Sequence, residues 1–134
     1  MTAFRTFFAL LWLTATAYSQ PTVQHSVLSA GGSSFGAPAG ASSTRLSPDG
    51  TKIAYTLEVD GNYDIYVGVL GGAATRLTNH PKQEFYPVWS PDGTKIAFTS
   101  LRDGDSEIFV INIDGTGEKQ LTSNNHGDIW PAWA

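Results

Sequence analysis

The sequence predicts an all-β fold made of two four-stranded antiparallel β-propeller blades and the start of a third. First, the octapeptide SPDGTKIA occurs at residues 47–54 and returns 43 residues later, at residues 90–97. Second, apolar residues run consecutively at 108–111, as expected of a strand that is covered on both faces. Third, no segment after the N-terminal leader has apolar residues at helical spacing over three turns. Short strands repeated at this period are typical of propeller blades.

The two copies stay aligned beyond the octapeptide. DGNYDIYV at 60–67 matches DGDSEIFV at 103–110, again 43 residues apart. After a one-residue insertion the spacing becomes 44, which aligns FYPVWS at 85–90 with IWPAWA at 129–134. We therefore expect propeller repeats over 45–134, with blade 1 at about 45–84, blade 2 at about 85–128 and a third repeat that starts at 129–134.

Each strand of the second copy is bounded by turn residues. The predicted strands are 85–90, 95–100, 107–113 and a short one at 119–122. Pro91-Asp92-Gly93 closes the first hairpin, because proline suits the second position of a turn and Asp-Gly tolerates positive φ. The octapeptide is thus interpreted as structural, and Asp49 and Asp92 are expected to bond local backbone rather than to catalyse a reaction.

Residues 86–122 resemble the repeat of TolB-type β-propellers. They read YPVWSPDGTKIAFTSLRDGDSEIFVINIDGTGEKQLT, and that family combines a Trp-Ser-Pro-Asp-Gly turn with Lys-Ile-Ala-Phe, Ile-Tyr/Phe-Val, Asp-Gly and Leu-Thr. The resemblance covers residues 46–134, although the first copy has Arg45-Leu46-Ser47 where the second has Val88-Trp89-Ser90. It implies a non-enzymatic scaffold for protein–protein interaction in the cell envelope, with a protein partner and without a cofactor. TolB itself carries an additional α/β domain before its propeller, whereas here a linker follows the leader.

Residues 1–19 are predicted to be a signal peptide. Arg5 precedes an apolar run at 7–13, and Ala17 and Ser19 suit cleavage before Gln20. An uncleaved membrane anchor is the alternative, but the apolar run is shorter than the roughly 18 residues that a span needs. The Gly/Ala/Ser-rich residues 20–44 are predicted to be a flexible linker. The expected location is periplasmic or secreted, with no membrane span after cleavage.

The composition excludes several classes of function. Without Arg5 the chain has seven basic and twelve acidic residues, a formal charge of −5 that argues against nucleic-acid binding. The absence of cysteine excludes disulfides, thiol chemistry and a lipid-modified N-terminal cysteine. A G-x-S-x-G match at 32–36 lacks the strand and helix that a nucleophile elbow requires, so it is attributed to composition.

One rim of the blades is the candidate binding face. In a meander the loops between second and third strands share a rim with the links between blades. The polar and aromatic residues predicted there are Asp60, Asn62, Asp64, His80, Lys82, Glu84, Arg102, Asp103, Asp105, Glu107, His126, Asp128 and Trp130. No residue of the chain is assigned a catalytic role.

Metal and sugar sites are the alternatives to structural roles for the residues of this face. The acidic triplets that begin at Asp60 and Asp103 resemble the start of a calcium loop, but isoleucine occupies the sixth position in both. His80 and His126 fall short of a three-ligand site, so no metal is expected. Trp89 and Trp133 are predicted to pack in the core, whereas Trp130 is the more open candidate for stacking on a sugar.

The sequence leaves two further functions open. The blades also resemble the gating propeller of prolyl-oligopeptidase-like serine peptidases, whose catalytic domain would lie outside this sequence, and carbohydrate-binding or lyase propellers. Propellers usually close with four to eight blades. The two repeats are therefore expected either to belong to a longer reading frame or to complete a ring by self-assembly.

Overall fold

The computed structural model describes residues 37–38 and 40–134 of the chain. The predicted signal peptide and most of the predicted linker lie outside these residues. The described part forms two four-stranded antiparallel sheets, in the orders β1-β2-β3-β4 and β5-β6-β7-β8. The prediction of an all-β fold with two antiparallel blades is therefore confirmed.

The strand bounds follow the repeat. Blade 1 consists of β1 (Ser42–Leu46), β2 (Lys52–Val59), β3 (Asn62–Val69) and β4 (Ala74–Arg76). Blade 2 consists of β5 (Glu84–Trp89), β6 (Lys95–Ser100), β7 (Glu107–Asn112) and β8 (Lys119–Gln120). β1 begins three residues before the expected start of the repeats at 45, because Ser42 pairs with Thr56 of β2.

The first turn of each blade is closed by the same hydrogen bonds. The Ser47 hydroxyl donates to Asp49 at 2.6 Å, and the Thr51 amide and hydroxyl donate to the same carboxylate oxygen at 3.0 and 2.8 Å. The corresponding three distances in blade 2, around Asp92, are also 2.6, 3.0 and 2.8 Å. These bonds lower the pKa of Asp49 to about 2, with the Ser47 hydroxyl the largest cause. The turn aspartates thus have the structural role that the sequence predicted.

The main apolar core lies between the two sheets. Blade 1 contributes Ala54, Ile65 and Leu77 to it, while blade 2 contributes its cross-strand pair Phe98 and Phe109. The two rings of that pair stack with centroids 5.9 Å apart. Phe109 and Ile111 of β7 belong to this core, whereas Ile108 and Val110, on the other face of the strand, are buried outside it.

Tryptophan indoles connect each repeat to the preceding one. Trp89 is only 2% exposed, and its Nε1–H donates to the carbonyl of Arg45 at 3.0 Å. Trp133, at the equivalent position of the third repeat, is half-buried and donates to the carbonyl of Val88 at 3.2 Å. The structure therefore confirms the core position of Trp89, and residues 129–134 begin a third repeat with the same indole contact. No helix in the described part of the chain is long and apolar enough to cross a membrane.

Candidate binding face

The antiparallel connections gather the candidate residues on one rim, which we call the loop face. It consists of the β2–β3 turn (60–61), the β6–β7 loop (101–106), the link between the blades (77–83) and the segment after β8 (121–128), together with Trp130. Because every strand reverses direction, the Pro-Asp-Gly turns lie on the opposite rim. This arrangement follows directly from the meander topology.

The predicted residues of the loop face differ in accessibility. Those that are exposed are Asp60, Lys82, Asp103, His126 and Trp130, and those that are half-buried are Asn62, His80, Arg102 and Asp105. Asp64, Glu84, Glu107 and Asp128 are at most 2% exposed. The buried carboxylates therefore lie beneath the face, and the exposed and half-buried residues form its surface.

Asp64 and Glu107 occupy equivalent positions at the start of the third strand of each blade. Asp64 forms an ion pair with Arg76 at 2.5 Å and accepts a hydrogen bond from the Asn62 amide at 3.1 Å. Glu107 instead accepts from the Thr122 hydroxyl and, at 2.8 Å, from the backbone N–H of Asn124. Asp64 thus connects β3 to the end of β4, whereas Glu107 connects β7 to the segment that follows β8 and fixes the position of that segment.

Glu84, which begins β5, and Asp128, which lies 44 residues later, form a second equivalent pair. The Asn124 amide donates to Asp128 at 2.7 Å, and the Arg102 guanidinium donates to Glu84. One oxygen of each carboxylate, Glu84 Oε2 and Asp128 Oδ1, has no hydrogen-bond partner among the described residues, and the same is true of Oδ1 of Asp64. Buried carboxylate oxygens without donors are costly.

Arg102 is the centre of a charged cluster in blade 2. Its guanidinium pairs with Glu84 and Glu118, and its Nε–H donates to the Ser100 hydroxyl at 2.9 Å. The guanidinium carbon lies 4.1 Å from the centroid of the Phe109 ring. Burial raises the pKa of Glu84 even though the hydrogen bond from Arg102 acts in the opposite direction. Arg102, which the sequence placed on the binding face, thus mainly secures the β6–β7 loop.

The two histidines of the face have separate local contacts. His80 Nδ1 accepts from the backbone N–H of Lys82 at 3.1 Å, and its carbonyl accepts from Asn62 at 2.8 Å. His126 is exposed, and its backbone N–H donates to the Asn124 side chain at 2.7 Å. Within residues 37–38 and 40–134, no group of three or more histidine, aspartate or glutamate side chains is arranged to hold a metal ion.

A polar depression of about 480 Å³ lies on the blade 2 side of the loop face. It is lined by Asp103, Gly104, Asp105, Glu107, Gln120, Ser123, Asn124 and Asn125. The Gln120 amide donates to Asp103 at 2.7 Å across it. The carboxylates of this lining can accept hydrogen bonds from a polar or cationic group of a ligand, and the amides can both donate and accept them.

Aromatic side chains form a row along the same face. Tyr63 and Phe85 have ring centroids 5.1 Å apart, Phe85 and Tyr86 are 5.9 Å apart, and Tyr86 meets Trp130 edge-on at 5.8 Å. Of this row, only Trp130 was predicted from the sequence to lie on the binding face. The available signal was the aromatic residue that precedes a proline at the same position of two repeats, Tyr86-Pro87 and Trp130-Pro131.

Comparison with known proteins identifies relatives of these blades. The family model described as TolB beta propeller domain matches residues 20–134. The solved structure of putative TolB from Agrobacterium tumefaciens is 35% identical, with a TM-score of 0.61, and the match covers 63% of this chain and 31% of that one. TolB from Acinetobacter baumannii is 27% identical with a TM-score of 0.56, and the match covers 67% of this chain and 23% of that one.

The chain is therefore similar to less than a third of the length of either TolB structure. A puromycin hydrolase structure is 19% identical with a TM-score of 0.50, over 66% of this chain and 15% of that one. At that identity the likeness shows the fold alone. No match was found among curated proteins.

Proposed function

Since the chain belongs to the TolB beta propeller domain family, we propose that it is an exported, non-enzymatic scaffold that binds a protein partner in the cell envelope through the loop face. The observation that carries this proposal is the 35% identity to a putative TolB over 63% of this chain. The loop face is the favoured contact surface because loops positioned by a rigid scaffold are where binding residues concentrate.

The contacts beneath the loop face support its use as a preorganised surface. Asp64 holds the end of β4, Glu107 holds the segment after β8, and Arg102 holds the β6–β7 loop. A surface fixed in this way loses little conformational entropy when a partner binds. The exposed residues Lys82, Asp103 and His126 then provide its polar contacts.

Export is a separate part of the proposal. It is supported by the predicted signal peptide at residues 1–19 and by family membership. N-terminal sequencing of the protein isolated from its producing cell is expected to give a start at Gln20. A start at Met1 in a cytoplasmic fraction would contradict export.

Site-specific photo-crosslinking in the producing cell tests the binding face. A photoreactive amino acid replaces Lys82 or His126 on the loop face, or, as matched exposed controls, Val69 or Thr75 away from it. We expect one adduct of the same mass from both loop-face positions, identified as a single envelope protein by mass spectrometry. Equal labelling from the control positions, or no adduct from Lys82 and His126, would contradict the proposal.

A second candidate function is the gating propeller of a serine peptidase, because the blades share the fold of puromycin hydrolase. A fluorophosphonate probe that labels active serines distinguishes the two functions when it is applied to the native gene product. The scaffold predicts no covalent label, whereas a peptidase predicts one label on a serine outside the two blades. The intact mass of the same product shows whether such a domain accompanies the blades.

A further inference from the structure

Aspartate is followed by glycine at five places in the chain. These Asp-Gly steps begin at Asp49, Asp60, Asp92, Asp103 and Asp114. An Asp-Gly step can cyclise, because glycine has no side chain to keep its backbone nitrogen away from the aspartate carboxyl group. The rate in a folded protein depends on what holds the carboxyl group and the glycine N–H, and the five steps differ in both.

Three of the steps are held at both groups. The carboxylates of Asp49, Asp92 and Asp114 each accept hydrogen bonds from the backbone N–H and the hydroxyl of a threonine two residues later, at 2.6–3.0 Å. In each step the glycine N–H donates to the carbonyl three residues before it, at 2.9 Å. Hydrogen bonds from hydroxyl groups are the largest cause of the lowered pKa of all three aspartates, so these carboxylates stay ionised.

The step at Asp103 is held less firmly. Its carboxylate accepts from the Gln120 amide at 2.7 Å. The Gly104 N–H lies 3.5 Å from the Leu101 carbonyl, which is longer than an ordinary hydrogen bond. This step is therefore intermediate.

The step at Asp60 is the least held of the five. Asp60 and Gly61 are exposed and form the two-residue turn between β2 and β3, with φ angles of 54° and 81°. In such a turn the closing hydrogen bond is donated by the residue after the turn, so the N–H of the second turn residue is not used. Within the described part of the chain, neither the Asp60 carboxylate nor the Gly61 N–H has a hydrogen-bond partner.

We propose that Asp60 is a site of spontaneous isoaspartate formation. The Gly61 nitrogen attacks Cγ of the protonated Asp60 carboxyl group, and the N–H proton leaves with the carboxyl hydroxyl as one water molecule, which gives a cyclic succinimide. Water then opens one of the two carbonyl–nitrogen bonds of the ring. Cleavage at Cγ restores aspartate, whereas cleavage at the main-chain carbonyl carbon leaves the chain linked through the side chain, as isoaspartate. Water is the only co-reactant, so the reaction needs neither an enzyme nor the proposed partner.

Isoaspartate at residue 60 alters one corner of the loop face. The new linkage adds one methylene group to the main chain. The turn joins the paired residues Val59 and Asn62 through only two residues, so an added backbone atom displaces this pair. The Asn62 amide donates to the His80 carbonyl at 2.8 Å. The modification therefore loosens the contact between this hairpin and the link 77–83.

Incubation of the purified full chain tests the site. The folded protein and the same protein in urea are kept at mildly acidic pH for several weeks, and circular dichroism confirms that the first sample stays folded. Three of the steps fall in separate tryptic peptides, 46–52, 53–76 and 83–95, and the other two fall in 103–119. Electron-transfer fragmentation distinguishes aspartyl from isoaspartyl linkages in these peptides. Methylation by an isoaspartyl methyltransferase measures isoaspartate independently.

We expect isoaspartate to form at Asp60 at least about tenfold faster than at Asp49, Asp92 or Asp114 in the folded protein, because ring closure at those three must first break several hydrogen bonds. Asp103 is expected to be the second fastest. In urea, where these bonds are absent, the five rates become similar.

Two variants separate the chemistry from the fold. Asp60→Glu keeps the charge, but the larger ring that glutamate forms closes far more slowly, so isoaspartate disappears from the peptide 53–76. The double variant Ser47→Ala with Thr51→Val removes two donors to Asp49. It is expected to raise the rate at Asp49 severalfold and to leave the rate at Asp60 unchanged.

Three results would overturn the site. They are equal rates at the five steps of the folded protein, a faster reaction at any other step than at Asp60, or suppression at Asp60 on folding that is as strong as at Asp49 and Asp92. Each of these results leaves the scaffold function in place, because that function is tested by cross-linking at Lys82 and His126.

Discussion

The hairpins at the centre of the two blades have the same length in sequence but different structures. β2 and β3 pair as far as Val59 and Asn62 and close over Asp60-Gly61, whereas β6 and β7 pair only as far as Ser100 and Glu107. The residues that extend the first hairpin include Val59 and Tyr63, which favour strands. Their counterparts in the second hairpin are Arg102 and Ser106, which lie in an open loop.

The turns between the first and second strands, in contrast, have the same structure in both blades. The octapeptide is identical in both blades, and the hydrogen bonds around Asp49 and Asp92 agree to within 0.1 Å. The Pro-Asp-Gly turns are thus repeated by sequence, whereas the β3–β4 turns of the same rim (70–73 and 113–118) and the loop face vary between the blades. Loops that vary on a repeated strand scaffold are the arrangement expected when the loops provide the binding specificity.

The largest effect is expected where the blades meet. Trp89→Ala removes a buried indole and its hydrogen bond to Arg45, so we expect a loss of about 3–5 kcal/mol in the free energy of unfolding. Urea unfolding followed by circular dichroism measures it. The matched control, Trp130→Ala, removes an exposed indole and is expected to change stability by less than about 0.5 kcal/mol. Equal losses in the two variants would contradict the packing described here.

Arg102 distinguishes the second blade from the first. Arg102→Met leaves the buried Glu84 without its cation, which we expect to cost about 2–3 kcal/mol, less than a fully buried pair because the guanidinium is partly exposed. Val59→Met, at the equivalent position of blade 1, is expected to change stability by under about 0.5 kcal/mol. Adding Glu84→Gln to Arg102→Met should recover part of the loss. No recovery would mean that the arginine acts through packing rather than charge.

The repeated turn predicts equal effects in the two blades. Ser47→Ala and Ser90→Ala each remove the hydroxyl that donates to the turn aspartate and accepts from a lysine backbone N–H. We expect each to cost about 1 kcal/mol, and the two losses to agree within about 0.5 kcal/mol. Thermal and urea unfolding of both variants provide the comparison. A difference larger than about 1 kcal/mol would show that identical turns are not energetically equivalent.

The smallest effects are expected in the dependence of stability on pH. Hydrogen bonds lower the pKa of Asp49 from 3.8 to about 2. Its stabilising contribution to the free energy of unfolding is therefore present above pH 3.8 and is lost as the pH falls towards 2. Burial raises the pKa of Glu84 above 4.5, so its contribution is favourable at low pH and declines as the pH rises above 4.5. Unfolding free energies between pH 2 and 7 test both signs. In Asp49→Asn, the free energy of unfolding should depend less on pH below 3.8, and in Glu84→Gln it should depend less on pH above 4.5. An unchanged dependence on pH in either variant would contradict the corresponding assignment.

Much of the fold could be predicted from the sequence because the repeat fixes it. Two copies of one octapeptide located the turns, and the consecutive apolar residues of β7 indicated a strand covered on both faces. The start of β1 was harder to place, because Ser42 and its neighbours have the composition of a linker and become a strand only by pairing with Thr56.

Less of the candidate face could be predicted from the sequence. Buried acidic residues and aromatic residues with positive φ account for what was missed. Acidic residues recur at equivalent positions of the repeats, Asp64 with Glu107 and Glu84 with Asp128. Such recurrence indicates a structural role, and all four side chains are buried, but the prediction placed them on the binding face. The left-handed conformation of Tyr86 and Trp130 had no propensity signal at all, since bulky aromatic residues rarely adopt it. Their meeting depends on the packing of one repeat against the next.

The central claim is that the loop face, and not the opposite rim with the Pro-Asp-Gly turns, contacts the protein partner. Hydrogen–deuterium exchange of the full chain, alone and with the partner identified by the Lys82 cross-link, tests it most directly. The account predicts added protection at the link 77–83, the loop 101–106 and the segment 121–128, with unchanged exchange at the turns 47–52 and 90–95. Protection of those turns, with none on the loop face, would contradict it.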